Sequence, residues 1–204
     1  MTDSITQRRI TSIHEAAHAV TSYLLGVPFL RVMILDDSRG EVVPESADFQ
    51  TRLNYYESHD PATDAHSKSI QDDLRKSAAI AVAGEIGEEC LLGSCDASPA
   101  ELDKDRQIAR SRASAVHLWA STDCYLGTLV PSKPCLDCDG FLDALRPAVR
   151  VILTQSAVSN AIEKLATRLG TQPRMTGPEA EHLLVTLGIQ QGSVAAGSLP
   201  AAPP

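Results

Sequence analysis

The sequence predicts a mainly α domain carrying one small β-hairpin, and three observations lead there. Apolar residues recur at helical spacing near the N-terminus, through the middle and toward the C-terminus. Aromatics make up only 4% of a chain that is 43% hydrophobic, so the core is one of Ala, Leu, Ile and Val, the side chains of close helix packing. One short apolar run, Phe29 to Leu35 (FLRVMIL), has the length of a strand. It meets a second run, Glu41-Val42-Val43, across the turn residues Asp36-Asp37-Ser38-Arg39-Gly40. A chain of 204 residues fits one domain with appendages and is long enough to bury a core.

Composition excludes several classes of partner. A formal charge of −8 argues against nucleic acid, because binding a phosphate backbone needs a basic face. No apolar run reaches the roughly 18 residues of a membrane-spanning helix. The N-terminal MTDSITQRR lacks the apolar centre of a signal peptide, so a cytoplasmic protein is expected. The five cysteines are odd in number and widely spread, as expected of reduced thiols. Cys135 and Cys138 have zinc-knuckle spacing, but Cys90, Cys95 and Cys124 make a poor partner set, so a Cys-bearing loop is favoured over a structural zinc site.

The first helix is expected from about Ile5 to Leu25. Ser4 to Gln7 reads as a capping box, Ile10, Ile13, Ala17, Val20 and Leu24 form an apolar stripe, and Gly26 with Pro28 ends the helix. This helix carries His14-Glu15-Ala16-Ala17-His18. Histidines four apart on a helix project one above the other, so their ring nitrogens converge on one metal ion. Zinc suits neutral imidazole and leaves room for a water whose pKa falls toward roughly 7. Glu15 then stands next to that water, able to take its proton, which is the chemistry of the H-E-x-x-H pattern.

The hairpin follows, with an edge that either holds an extended peptide by strand addition or is merely structural. Residues 47–61, with Tyr55 and Tyr56, read as a loop, and His59 and His66 as solvated histidines rather than ligands. A long helix is expected from about Ala62 to Leu92, with the small apolar segment Ala78 to Gly84 packed against the motif helix. Its end carries Glu85, Glu88 and Glu89, and Glu88 is expected to accept the outer N–H of a ligand histidine. Ser98-Pro99-Ala100-Glu101 marks the next helix start, with Ser98 as cap and Glu101 closing a capping box. Two histidines leave a zinc site short of a ligand, and on this acidic helix Asp105 is free to point at the metal while Asp103 faces away. Leu118 to Cys138 reads as a long loop, helices follow at about Phe141 to Leu169 and Pro178 to Leu187, and Thr176 to Glu179 forms a capping box. His117 and His182 read as packing or surface residues. Residues 1–188 are taken as the domain and 189–204 as a disordered tail.

HEAAHAV, AGEIGEE and DRQIARSRA, in that order, resemble the peptidase domain of the FtsH-type zinc proteases, over about Ile10 to Leu187. That family shows HEAGHAV, a GRAAEE-like segment, and an aspartate followed by alanines four and eight residues on. Asp105 with Ala109 and Ala113 fits the last pattern, and Glu101 does not. The resemblance implies a zincin-like helical peptidase domain acting on polypeptides, with His14, His18 and Asp105 as zinc ligands and Glu15 as general base. Ala17 departs from the family's glycine, and an insertion separates Cys95 from Asp105. No G-x-x-x-x-G-K-[ST] loop stands in these residues, so the family's ATPase module is missing from them. A homo-oligomer or a separate ATPase partner are the assemblies the resemblance suggests. The longer motif H-E-x-x-H-x-x-G-x-x-H is excluded by Thr21 and Leu24. The alternative reading is a non-catalytic zinc-binding interaction module, which has no need of Glu15.

Overall fold

The computed structural model describes residues 4–44, 67–97, 99–120 and 138–201. It is mostly helical with one small antiparallel sheet, as the sequence predicts. The elements are α1 (Ser4–Leu24), β1 (Phe29–Asp36), β2 (Arg39–Pro44), α2 (Ser67–Leu92), α3 (Pro99–Ala120), α4 (Cys138–Leu153), α5 (Ser156–Thr171), β3 (Arg174–Thr176) and α6 (Gly177–Thr186), with a short 3-10 turn at Ala196–Ser198. Residues 45–66, 98 and 121–137 lie outside the described residues. So do the expected loop with Tyr55, Tyr56, His59 and His66, the Ser98 cap, and Cys124 with Cys135.

α1 ends where expected. Gly26 adopts a positive φ of 68°, and the Val27 and Gly26 N–H groups donate to the Ser22 and Tyr23 carbonyls at 2.9 and 3.0 Å. These are the two bonds of a Schellman cap, and only glycine takes that backbone conformation cheaply. From Ile10 to Leu25 the helix is buried on every face. A helix so enclosed must satisfy each polar side chain it carries. Thr11 Oγ1 donates to the Asp37 carbonyl (2.9 Å), Ser12 Oγ to Arg8 O (2.8 Å) and Ser22 Oγ to Val27 O (2.7 Å). Thr21 Oγ1 is the exception, buried without a hydrogen-bond partner among the described residues. Beyond it stand His14, Glu15 and His18, at 1%, 4% and 7% exposure, which packing alone does not explain.

α2 lies against α1 through its small residues. A Cβ on Gly87 would stand 2.5 Å from the Ala17 Cβ, so the two helices touch where the sequence offers glycine and alanine. Glu85 receives Arg106 of α3 and Arg146 of α4, both at 2.8 Å, while Glu89 takes Arg146 and Arg150. Although burial opposes its charge, Arg146 and Arg106 hold the Glu85 carboxyl below its ordinary range. Apolar faces of α4 (Phe141, Leu145, Val149, Leu153) and α5 (Ile162, Leu165, Leu169) complete the core.

The sheet runs β2-β1-β3, with Ile34 opposite Gly40 and Val32 opposite both Val42 and Met175. The hairpin turn is tighter than expected. Asp36 accepts from the Ser38 N–H (2.9 Å) and from Arg39 Nε (2.6 Å), so β2 already begins at Arg39. β3 is an addition to the predicted hairpin. The helix expected from Phe141 to Leu169 breaks at Thr154 and Gln155 into α4 and α5. The Thr176–Glu179 capping box is present at the start of α6.

Described residues beyond 188 correct the expected disordered tail. The Gly192 and Val194 N–H groups donate to the Tyr23 and Leu24 carbonyls, both at 3.0 Å, and Ile189, Ala196 and Leu199 are buried. The cause is local. Gly192, at φ 65°, packs its backbone against Gly26 at the end of α1, and both positions hold a positive φ that glycine takes cheaply and other residues do not.

Candidate metal centre

α1, α2 and α3 converge on one cluster. His14 Nε2 and His18 Nε2 lie 2.8 and 3.2 Å from Asp105 Oδ2, and the three donor atoms fall within 4.8 Å of one another. Among the described residues this is the one group of three or more such side chains with metal-site spacing. The helical spacing of His14 and His18 brings the rings together edge to face, with centroids 4.6 Å apart. Asp105 comes from the second turn of α3, while Asp103 is exposed.

The outer nitrogens are already engaged. His18 Nδ1–H donates to the Ile80 carbonyl at 2.6 Å, and a carbonyl can only accept, so the neutral ring turns a lone pair on Nε2 toward the cluster. His14 Nδ1–H donates to Glu88 Oε1 at 2.6 Å. Glu88 Oε2 accepts the Asp96 and Ala97 N–H groups, both at 2.9 Å, which fixes the carboxylate behind the ring. The contact expected of Glu88 is therefore present, and carboxylate–histidine pairs of this kind orient metal ligands.

Two ring nitrogens and a carboxylate oxygen this close together could hold a metal ion between them. The residues fit zinc in two respects. The donor set is two imidazoles and a carboxylate, as in catalytic zinc sites with an open position. A cradle also exists, since a Cβ on Gly84 would lie 2.4 Å from His14 Nε2 and 2.6 Å from His18 Nε2.

Without metal, protons hold the site together. Burial works against charge on His14, but Asp105 and Glu88 outweigh it and raise its pKa to about 10. Burial likewise opposes charge on His18, and Asp105 again raises it. Asp105 is held well below the carboxylate range, against its own burial, by His18 and His14. A metal requires the unprotonated nitrogen, so zinc uptake near pH 7 is expected to release protons, and affinity to rise as pH rises toward 10. Titration calorimetry in buffers of different ionisation enthalpy reads this directly. A binding enthalpy independent of buffer would contradict it.

Glu15 lines the same cavity, of about 280 Å³, together with Val27, Phe29, Val42, Ile80 and Ile108. Burial pushes its carboxyl up to about 7, with the two histidines pulling the other way. Gly40 of β2 lies directly over it, and a Cβ there would stand 2.3 Å from Glu15 Cγ. Glu101 Oε1 accepts the Gly40 N–H at 2.7 Å, a contact the capping reading did not contain. Sequence reasoning also missed Gly84, whose place inside a helix is itself a signal, and the Ile80 carbonyl, which has none. Cys90, Cys95 and Cys138 form no disulfide, and Cys138 Sγ lies 3.1 Å from Ser114 Oγ. His182 is exposed on α6.

No family model matches the chain, and no curated protein matches it. Among the described residues no helix is long and apolar enough to cross a membrane.

Proposed function

We propose that the protein is a zinc-dependent metallopeptidase of the FtsH-type class its motifs resemble, hydrolysing peptide bonds in flexible polypeptides. One observation carries the reading. Glu15, at 4% exposure, lines the same cavity as the His14, His18 and Asp105 donor set. A site that only needed to hold a metal has no use for a buried carboxylate there, and burying one is costly.

His14, His18 and Asp105 would hold the zinc. When bound, zinc supplies Lewis acidity to the attacking water and the scissile carbonyl. Glu15 takes the proton of that water, holds it on its carboxylate and hands it to the leaving amine. A proton affinity near 7 suits both halves of that exchange. Glu88 and the Ile80 carbonyl each engage an Nδ1–H, which leaves Nε2 as the nitrogen either ring would offer the metal. The outer edge of β2 has no strand partner among the described residues, and it offers an extended substrate backbone hydrogen bonds that do not depend on sequence.

The test is cleavage of casein by zinc-loaded wild type beside Glu15→Gln. Cleavage by the wild type alone supports the proposal. Zinc bound to both with cleavage by neither would move the reading to a non-catalytic zinc-binding module. Asp105→Ala is expected to weaken zinc binding by more than about 100-fold, beyond the loss usual for removing an outer partner of a ligand. Unchanged affinity, measured by competition with a chromophoric chelator, would remove Asp105 from the ligand set.

A further inference from the structure

Glu101 lies one helical turn before Asp105, so α3 presents both carboxylates along one face. They do different things. Asp105 reaches the two histidines, whereas Glu101 Oε1 accepts the Gly40 N–H at 2.7 Å. Gly40 is the second residue of β2, and its α-carbon rests on the Glu15 side chain so closely that a Cβ would fall 2.3 Å from Cγ and 2.7 Å from Oε1. The turn before it is tied to α1, where Thr11 Oγ1 donates to the Asp37 carbonyl at 2.9 Å.

We infer that Glu101 is a positioning residue, whose bond to the Gly40 N–H pins the start of β2 over Glu15 and holds that carboxylate toward the metal cluster. A carboxylate serving only the positive end of a helix would lie in solvent, where that interaction is as good and costs no desolvation. Glu101 is instead half-buried beside Glu15 and Asp105, and burial raises its proton affinity. An acceptor kept at that cost serves a geometric purpose. The α3 helix then sets two distances at once, since a shift that moved Asp105 from the histidines would also lift β2 from Glu15.

The effect on catalysis rests on the peptidase reading, but the pin itself does not. The experiment therefore begins on metal-free protein, with amide exchange at Gly40 followed by NMR in wild type, Glu101→Gln and Glu101→Ala. Losing a charge-assisted bond is expected to speed Gly40 exchange in Glu101→Ala by about tenfold or more. Glu101→Gln keeps an acceptor and should retain most of the protection, and zinc affinity of both variants should stay within about threefold of wild type. In zinc-loaded protein, Glu101→Ala should lower kcat by about tenfold or more with little change in KM, and Glu101→Gln should restore most of it. Unchanged Gly40 exchange in Glu101→Ala would overturn the proposal, as would a loss of zinc as large as that of Asp105→Ala. If wild type does not cleave while Gly40 exchange still responds, the pin stands and the peptidase reading falls.

Discussion

Glu15→Gln is expected to bind zinc within about threefold of wild type and to cleave casein about 10²- to 10⁴-fold more slowly, the range usually lost with a general base. Glutamine has the shape of glutamate but cannot take a proton from water, and Glu15 is outside the His14, His18 and Asp105 donor set. The substitution should also fold well. Burial raises the Glu15 carboxyl to about 7, above its ordinary value of 4.5, so the folded protein binds that proton more tightly than the unfolded chain. Its contribution to stability therefore declines as pH rises from 4.5 through 7. Above that window the neutral amide removes a buried charge, and the metal-free variant should melt at or above the wild-type temperature at pH 8. Near-wild-type cleavage by a zinc-loaded Glu15→Gln would show that another group takes the proton.

The part of this site legible in the sequence is the part that helical spacing encodes. His14 and His18 share a face because they are four apart, and Asp105 stands out because Glu101 has another use and Asp103 another face. Glu88 was legible for a similar reason, as a carboxylate on a segment too apolar to leave it unpartnered. What stayed hidden depends on contacts between distant segments. The Ile80 carbonyl that orients His18 is a backbone group and carries no residue identity. β3 is three residues long, too short for any period, and is a strand only because β1 lies beside it. Apolar spacing runs on across Thr154 and Gln155, so pattern alone could not break α4 from α5. The segment beyond 188 reads as disordered because it is rich in Gly, Ala and Pro and poor in large apolar residues. Yet Ile189 and Leu199 suffice to anchor it once Gly192 meets Gly26. Composition measures how much a segment can bury, not whether a groove of the right shape awaits it.

Gly84→Ala separates a metal seat from a mere helix contact more sharply than removing a ligand does. Alanine is favoured over glycine inside a helix by about 1 kcal/mol, so a purely helical role predicts a more stable protein. Here the added methyl would stand 2.4 and 2.5 Å from His14 Nε2 and Cε1 and 2.6 Å from His18 Nε2. Neither ring can simply retreat, because each is held from behind, His14 by Glu88 and His18 by the Ile80 carbonyl, both at 2.6 Å. Relief must come from separating α2 from α1, which costs about 1–3 kcal/mol in a packed interior, or from turning a ring off the cluster. Either way the two lone pairs no longer meet, and zinc affinity is expected to fall by more than about 100-fold, a ligand's worth rather than an outer partner's. Gly170→Ala in α5 is the control, since nothing lies within 4 Å of its added Cβ. That variant should gain about 0.5–1 kcal/mol and leave zinc affinity alone. Circular dichroism would confirm that Gly84→Ala still folds before its affinity is read. Wild-type zinc affinity in a folded Gly84→Ala would mean the metal does not sit between His14 and His18, and the peptidase reading would lose its centre with it.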